Sequence, residues 1–231
     1  MNGVIIQARM GSSRLPGKIL KNLCDKSLLE HILYRLRYLK SKAEVVIATS
    51  LLPADDEVHD FCTGNGVECF RGSEGNVLSR YYECARLYGF QNIVRLTGDN
   101  PFVDIEELDN LIESHLRMDA DYSHSFSVLP IGVGAEVFTF ESLERSFREG
   151  NKPNHLEHVN EYILENPREF IINVFSDVRE SKRRPDVSLT VDTMEDYKKA
   201  CFIVENTSDE YITTEEAIKL CLRYVWKTAK N

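Results

Sequence analysis

Apolar positions in the first half of the chain alternate between short continuous runs and helical repeats. Residues 3–8 (GVIIQA) form an apolar run that opens into a polar loop. Leu28, Leu29, Ile32, Leu36 and Leu39 recur at helical spacing, which predicts a helix over 27–39. The segment 43–50 (AEVVIATS) is β-branched and apolar, as a strand covered on both faces is. A helix is expected over 54–63, opening among acidic residues and stopped by Gly64 and Gly66. A strand over 66–70, a helix over 76–88 stopped at Gly89, a strand over 92–98 and a helix over 104–117 continue the order. This β-α-β-α succession predicts a mostly parallel sheet with helices on both faces.

Beyond about residue 118 the pattern changes. Residues 119–128 and 132–140 read as short strands around a Leu129-Pro130 turn, followed by helices over 140–149 and 154–165. Strands are expected over 170–175 and 187–191, and helices over 194–204 and 214–224 close the chain. No linker rich in Gly, Ser or Pro divides the sequence, so one α/β domain over 1–231 is expected, with a small β-containing lobe in its second half.

At 231 residues the chain is long enough for a substantial core, and 42% hydrophobic with 28% charged residues is an ordinary globular balance. The apolar stretch near the N-terminus is short for a signal peptide and no run is long enough to span a bilayer, so a cytoplasmic protein without membrane contact is expected. The six cysteines are widely spaced with no C-x-x-C pair, and read as reduced, mostly buried small hydrophobes. A net charge of −9 argues against a nucleic-acid partner. It does not argue against a small anion, because basic residues are concentrated locally.

That concentration is the loop after the first apolar run, Gln7-Ala8-Arg9-Met10-Gly11-Ser12-Ser13-Arg14-Leu15-Pro16-Gly17-Lys18. Ligands of open α/β sheets bind at the carboxyl ends of strands. Here Arg9, Arg14 and Lys18, the hydroxyls of Ser12 and Ser13, and Gly11 and Gly17 stand together. Glycines let backbone N–H groups approach a ligand, and fixed cations neutralise phosphate charge. The loop is neither a Walker A sequence nor a dinucleotide fingerprint: Ile19 follows Lys18, and G-x-G-x-x-G is missing.

Two aspartates stand just beyond apolar segments. Asp99 lies in the Gly98-Asp99-Asn100-Pro101 turn, and Asp192 follows 188–191. Either is an ordinary turn former, and either is also a suitable ligand for a hard cation bridging phosphates. Thr193 and Asp196 have the spacing of a capping box, which assigns Asp196 first to helix chemistry.

The segment IIQARMGSSRLPGKIL strongly resembles the signature of the cytidylyltransferases that make CMP-sugars, above all the branch typified by spore-coat polysaccharide biosynthesis protein F. The shared A-R-x-x-S-x-R-L-P-G-K core is matched from Ala8 to Lys18, and the resemblance covers roughly the whole chain. It implies a nucleotide-diphospho-sugar transferase-like fold, and an enzyme that transfers CMP from CTP to a sugar, an ulosonic acid or a related surface-polysaccharide sugar, with release of pyrophosphate. It implies a nucleotide-binding part over 1–118, an acceptor part over 119–190 and a C-terminal part over 191–231. Ala8, Arg9, Gly11, Ser12, Ser13, Arg14 and Lys18 then bind the nucleotide together with Arg80 and Asp99. Magnesium falls to Asp99 and Asp192, and Arg9 and Lys18 join these two as catalytic residues. For Arg71 a plain surface role stays open.

Residues 130–138 (PIGVGAEVF) and 156–163 (LEHVNEYI) resemble two further blocks of that branch, and place Glu136 and His158 on the acceptor side. The chain departs at Asn160, where the branch often carries Thr. The resemblance also implies a homodimer. Two rival functions are a glycosyltransferase of similar fold and a catalytically silent nucleotide-binding protein. The first usually holds its metal through an Asp-x-Asp-like motif and lacks this loop; the second has no use for both aspartates.

Overall fold

Ile5 and Ile6 are neighbours in sequence but enter two different cores, one on each side of a sheet, which is why the early apolar runs are continuous. The computed structural model that shows this describes residues 1–207 and 209–228. In chain order its elements begin with β1 (Asn2–Gln7), a small hairpin of β2 (Asn22–Leu23) and β3 (Lys26–Ser27), α1 (Leu28–Leu36), β4 (Ala43–Ser50), α2 (Asp56–Asn65) and β5 (Glu68–Gly72). Next come α3 (Val77–Tyr88), β6 (Asn92–Thr97), α4 (Ile105–Arg117), β7 (Tyr122–His124), β8 (Glu136–Thr139) and α5 (Phe140–Glu149). The chain continues through α6 (Pro153–Glu157), α7 (Glu161–Glu165), β9 (Ile172–Val174), α8 (Met194–Glu205) and α9 (Thr214–Thr228).

Seven strands form the main sheet in the order β5-β4-β1-β6-β8-β7-β9. The four strands from β5 to β6 are mutually parallel, β8 runs antiparallel to both β6 and β7, and β9 is parallel to β7. One core joins α1, α2, α4, α8 and α9 to one face; α3 and α5 with Val159 and Ile163 cover the other. The mainly parallel α/β architecture expected from the sequence is present, with helices on both faces.

Capping residues set several helix starts. Ser27 forms a capping box with Glu30, Asn76 accepts from the Ser79 N–H at 2.8 Å, and Asp104 accepts from Glu107 at 3.0 Å. Gly66 and Gly89 end α2 and α3 in the left-handed region, at φ 63° and 67°.

Three expectations need correction, and one element is new. The helix over 154–165 is two short helices, because His158 is extended (φ −114°, ψ 107°) and drops Val159 into the core. The strand over 187–191 is an extended segment with a single bridge, Ile131 to Ser188. The hairpin β2–β3 is new; it turns at Cys24, whose φ is +61°. The cysteines are free, but only Cys62, Cys84 and Cys221 are buried; Cys69 and Cys201 are half-buried and Cys24 is exposed. No helix among the described residues is long and apolar enough to cross a membrane.

Candidate active site

The basic loop leaves β1 at its carboxyl end and is folded by its own backbone. The Ala8 N–H still pairs with the Ala48 carbonyl at 3.1 Å, and both Ser12 and Gly17 donate to the Met10 carbonyl, at 2.9 and 3.0 Å. Gly17 sits at φ +67°, a conformation that favours glycine, and its turn opens a short 3-10 segment over Lys18–Leu20. Leu15 and Ile19 plug into the core and pin the loop from below, so that Arg9, Gly11, Ser13 and Arg14 stay exposed above. The buried Asp55 carboxylate anchors the loop's start, accepting from the Met10 N–H at 2.6 Å while also holding Ser50.

The neighbouring strand end brings Asp99 beside the loop. Gly98 donates to the Gln7 carbonyl at 2.8 Å, and a Cβ there would stand 3.1–3.3 Å from Ile19, Leu29 and Ala8. A side chain at this position would press on those three side chains, so glycine suits the tight packing of the strand end. Asp99 is oriented by the Thr97 hydroxyl, which donates to Oδ1 at 2.6 Å. Its backbone carbonyl accepts from Val191 N–H at 2.9 Å, which brings the 187–191 segment, and with it Asp192, alongside. The Lys18 ammonium then lies between the two carboxylates, 2.9 Å from Asp99 and 2.8 Å from Asp192, and Arg14 is 3.2 Å from the second oxygen of Asp192. Groups 81 and 174 residues from Lys18 in sequence are thus brought onto one nitrogen.

Two cavities meet at this pair. The larger, about 770 Å³, is lined by Ala8, Arg9, Gly11, Ser12, Ser13, Arg14 and Lys18 of the loop, by Glu74, Gly75 and Val77, and by Leu156, Glu157 and His158. The smaller, about 310 Å³, is lined by Asn100, Phe126, Pro130, Ile131, Gly132, Gly134, Glu136 and Thr190. Arg95, Thr97, Asp99 and Asp192 line both.

Ala8, Arg9, Gly11, Ser12, Ser13, Arg14, Lys18, Asp99, Asp192 and His158 therefore share one cavity, with His158 on the loop's side of the cleft. Glu136 borders the smaller cavity but is fully buried in an ion pair with Arg95. Arg80 lines neither. It is fully buried, donates to the Ser73 carbonyl at 2.7 Å, and has an Nε and a terminal nitrogen without a protein partner. Arg71 ties the Ser50 and Leu52 carbonyls to Asp56, a structural role. Asp196 closes the capping box with Thr193 and holds Lys199 at 2.9 Å.

Sequence reasoning missed Asp55, Thr97 and Arg95. Arg95 carried a signal, a charged residue inside the apolar strand 92–98. Burial works against its charge, but the Glu136 carboxylate outweighs that and holds the guanidinium protonated more firmly than usual.

Two acidic groupings invite a divalent cation, and they differ in fit. Asp104, Glu106 and Glu107 cluster tightly, but the Lys182 ammonium fills their centre at 2.8–2.9 Å from each, and Asp104 and Glu107 are closed off from solvent at 5% and 3% exposure. Asp99 and Asp192 are partly open to the cleft, at 27% and 31% exposure, and already hold one cationic nitrogen between them. That pair fits a hard cation with oxygen ligands.

Residues 3–230 match the family model described as cytidylyltransferase. The chain is 40% identical over 199 residues to spore coat polysaccharide biosynthesis protein SpsF of Bacillus subtilis, covering 84% of this chain and 82% of that one. It is 32% identical over 110 residues to a 3-deoxy-manno-octulosonate cytidylyltransferase of Geobacter sulfurreducens, covering 47% and 42% of the two chains. A solved cytidylyltransferase from Leptospira borgpetersenii serovar Hardjo-bovis superposes with a TM-score of 0.90 at 31% identity, over 97% of this chain and 95% of that one.

Proposed function

The chain belongs to the cytidylyltransferase family of CTP-dependent nucleotidyltransferases, and from that premise we propose that it transfers CMP from CTP to a sugar acceptor at the cleft between the two cavities. One observation carries this reading: the loop cavity and the smaller cavity meet at Asp99 and Asp192. A nucleotide held on the first side and an acceptor on the second place the reacting atoms at that meeting point.

In this reading the acceptor hydroxyl attacks the α-phosphorus of CTP, the bond to the bridging oxygen breaks, and pyrophosphate leaves with the negative charge. Arg9, Arg14, Lys18 and the Ser12 and Ser13 hydroxyls hold the triphosphate, and the fixed positive charges offset the charge that builds on the leaving group. Asp99 and Asp192 would hold magnesium, which would supply positive charge beside the α-phosphate. Thr97 keeps Asp99 in its orientation. His158 and Leu156 close one wall of the nucleotide side. No protein nucleophile is required; the chain's contribution is positioning and charge neutralisation.

The acceptor is a sugar of a surface polysaccharide, an ulosonic acid or a relative of one. Support comes from the names of two relatives, one a spore coat polysaccharide protein and the other acting on 3-deoxy-manno-octulosonate. We place the enzyme in the cytoplasm as a homodimer. Six free cysteines suit a reducing compartment. Support for a second copy is the edge strand β9, flanked and ended by Ile171 and Val174 at 53% and 52% exposure.

Calorimetric titration with CTP, UTP, ATP and GTP in the presence of magnesium tests the base assignment. CTP is expected to bind at least about tenfold more tightly than the others, about 1.4 kcal/mol. Equal affinity for all four, or preference for a purine, contradicts it.

A further inference from the structure

All four oxygens of the Asp99 and Asp192 carboxylates are engaged by the chain's own groups. Asp99 Oδ1 accepts from the Thr97 hydroxyl at 2.6 Å, and its Oδ2 accepts from the Lys18 ammonium at 2.9 Å. Asp192 Oδ1 accepts from the same ammonium at 2.8 Å, and its Oδ2 lies 3.2 Å from the Arg14 guanidinium. Two carboxylates and two cations balance, so the group has no net charge with which to attract a further cation. Yet Lys18 and Arg14 also line the larger cavity with the rest of the basic loop. The same two cations thus face two sets of anions, the aspartates and any phosphate that enters.

A second lysine shows why the first can let go. Lys182 bridges Asp104 and Glu107 with all three side chains at 3–5% exposure, and its departure would strand buried charge. Lys18 bridges carboxylates at 27% and 31% exposure and opens on a cavity of about 770 Å³. Its backbone is fixed: Gly17 donates to the Met10 carbonyl at 3.0 Å, and Lys18 to the Leu15 carbonyl at 3.2 Å. The flexible four-carbon stem can therefore turn while the loop stays in place.

We propose that Lys18, assisted by Arg14, is an internal counter-ion that closes the aspartate pair to a divalent cation until a nucleotide draws both cations onto its phosphates. The proposal rests on reading the aspartates as the metal site of nucleotidyl transfer, and adds how the loop controls access to it. When the ammonium turns away, Asp99 Oδ2 and Asp192 Oδ1 are left facing the one point it occupied, and Thr97 still holds Asp99 in its orientation. Nucleotide binding thereby creates the vacancy that a hard cation fills. The coupling is reciprocal, because a cation on the aspartates frees Lys18 and Arg14 for phosphate. Metal and nucleotide then enter the cleft together, and the free enzyme holds little metal.

The test uses the intact protein and manganese as a paramagnetic divalent cation, with no nucleotide present; the electron paramagnetic resonance signal counts the unbound ion. Lys18→Met is expected to bind manganese at least about tenfold more tightly than wild type, and adding Asp99→Asn should remove that gain. Lys18→Arg keeps a positive charge over the pair and should stay as weak as wild type. Arg14→Met changes a side chain at 63% exposure, so the fold is not at stake, and by freeing one oxygen of Asp192 it should show a smaller gain. Circular dichroism checks that each variant is folded. Equal affinity in wild type, Lys18→Met and Arg14→Met overturns the proposal; if Asp99→Asn weakens binding in all of them, the metal assignment itself still stands. An equal gain in Lys18→Arg, or a gain that survives Asp99→Asn, overturns it as well.

Discussion

Replacing Asp99 or Asp192 by asparagine is expected to lower turnover by about a hundredfold or more at saturating magnesium, roughly 2.7 kcal/mol of barrier, while leaving the fold nearly as stable. The two halves of this expectation come from different atoms. Asparagine at 99 still accepts from the Thr97 hydroxyl, and the backbone carbonyl that binds Val191 is untouched, so the turn survives. What is lost is an anionic oxygen facing Lys18. The ion pairs are partly exposed, which limits their contribution to stability to about 1 kcal/mol or less. A hard cation held there would, by contrast, lose one of two anionic ligands. If either aspartate only shapes a turn, asparagine replaces it with little effect. Steady-state pyrophosphate release beside thermal unfolding separates the readings: a variant retaining more than about a tenth of wild-type turnover (about 1.4 kcal/mol) removes that aspartate from the metal site. Asp196 offers no substitute, because its two oxygens are engaged by Thr193 and Lys199.

Lys182→Met is expected to have the largest effect on stability, with activity per folded molecule unchanged. The ammonium is buried and touches Asp104, Glu106 and Glu107, two of which are themselves buried. Removing it leaves Asp104 and Glu107 without a countercharge, a loss on the order of 3–5 kcal/mol. Burial raises the pKa of Asp104, but Lys182 and the Thr214 hydroxyl outweigh it and hold the carboxyl below the usual range. A depressed folded pKa means that this stabilisation is present at neutral pH and is lost as pH falls through that value. Urea unfolding measures the loss; a change below about 1 kcal/mol contradicts this account of the cluster. Adding Asp104→Asn and Glu107→Gln to Lys182→Met should recover part of the stability by removing the unpaired charges.

The loop side of the cleft was legible because its chemistry is contiguous: Ala8 to Lys18 holds the cations, hydroxyls and glycines in eleven successive positions read straight from the sequence. Asp99 and Asp192 were legible as strand-end carboxylates, although their meeting on Lys18 depends on the Asp99–Val191 backbone bond. Arg95 was not, because its meaning depends on Glu136, which reaches it only when β8 pairs antiparallel with β6. Periodicity likewise exposes a face and not a partner. It marked 187–191 as extended and buried, but the backbone groups there bond to Ile131 and Asp99 across isolated contacts, not along a ladder. The break within 154–165 has no Gly or Pro to announce it; burial of Val159 decides it.

The account's central claim is the transfer of CMP itself, and following the α-phosphorus of CTP tests it most directly. The protein is incubated with magnesium, CTP labelled at that phosphorus, and the acidic sugars extracted from polysaccharide-producing cells. The expected result is label in a phosphodiester product, with one pyrophosphate released for each label transferred and no transfer from labelled UTP. Label that stays in CTP, or that moves from UTP instead, contradicts the account.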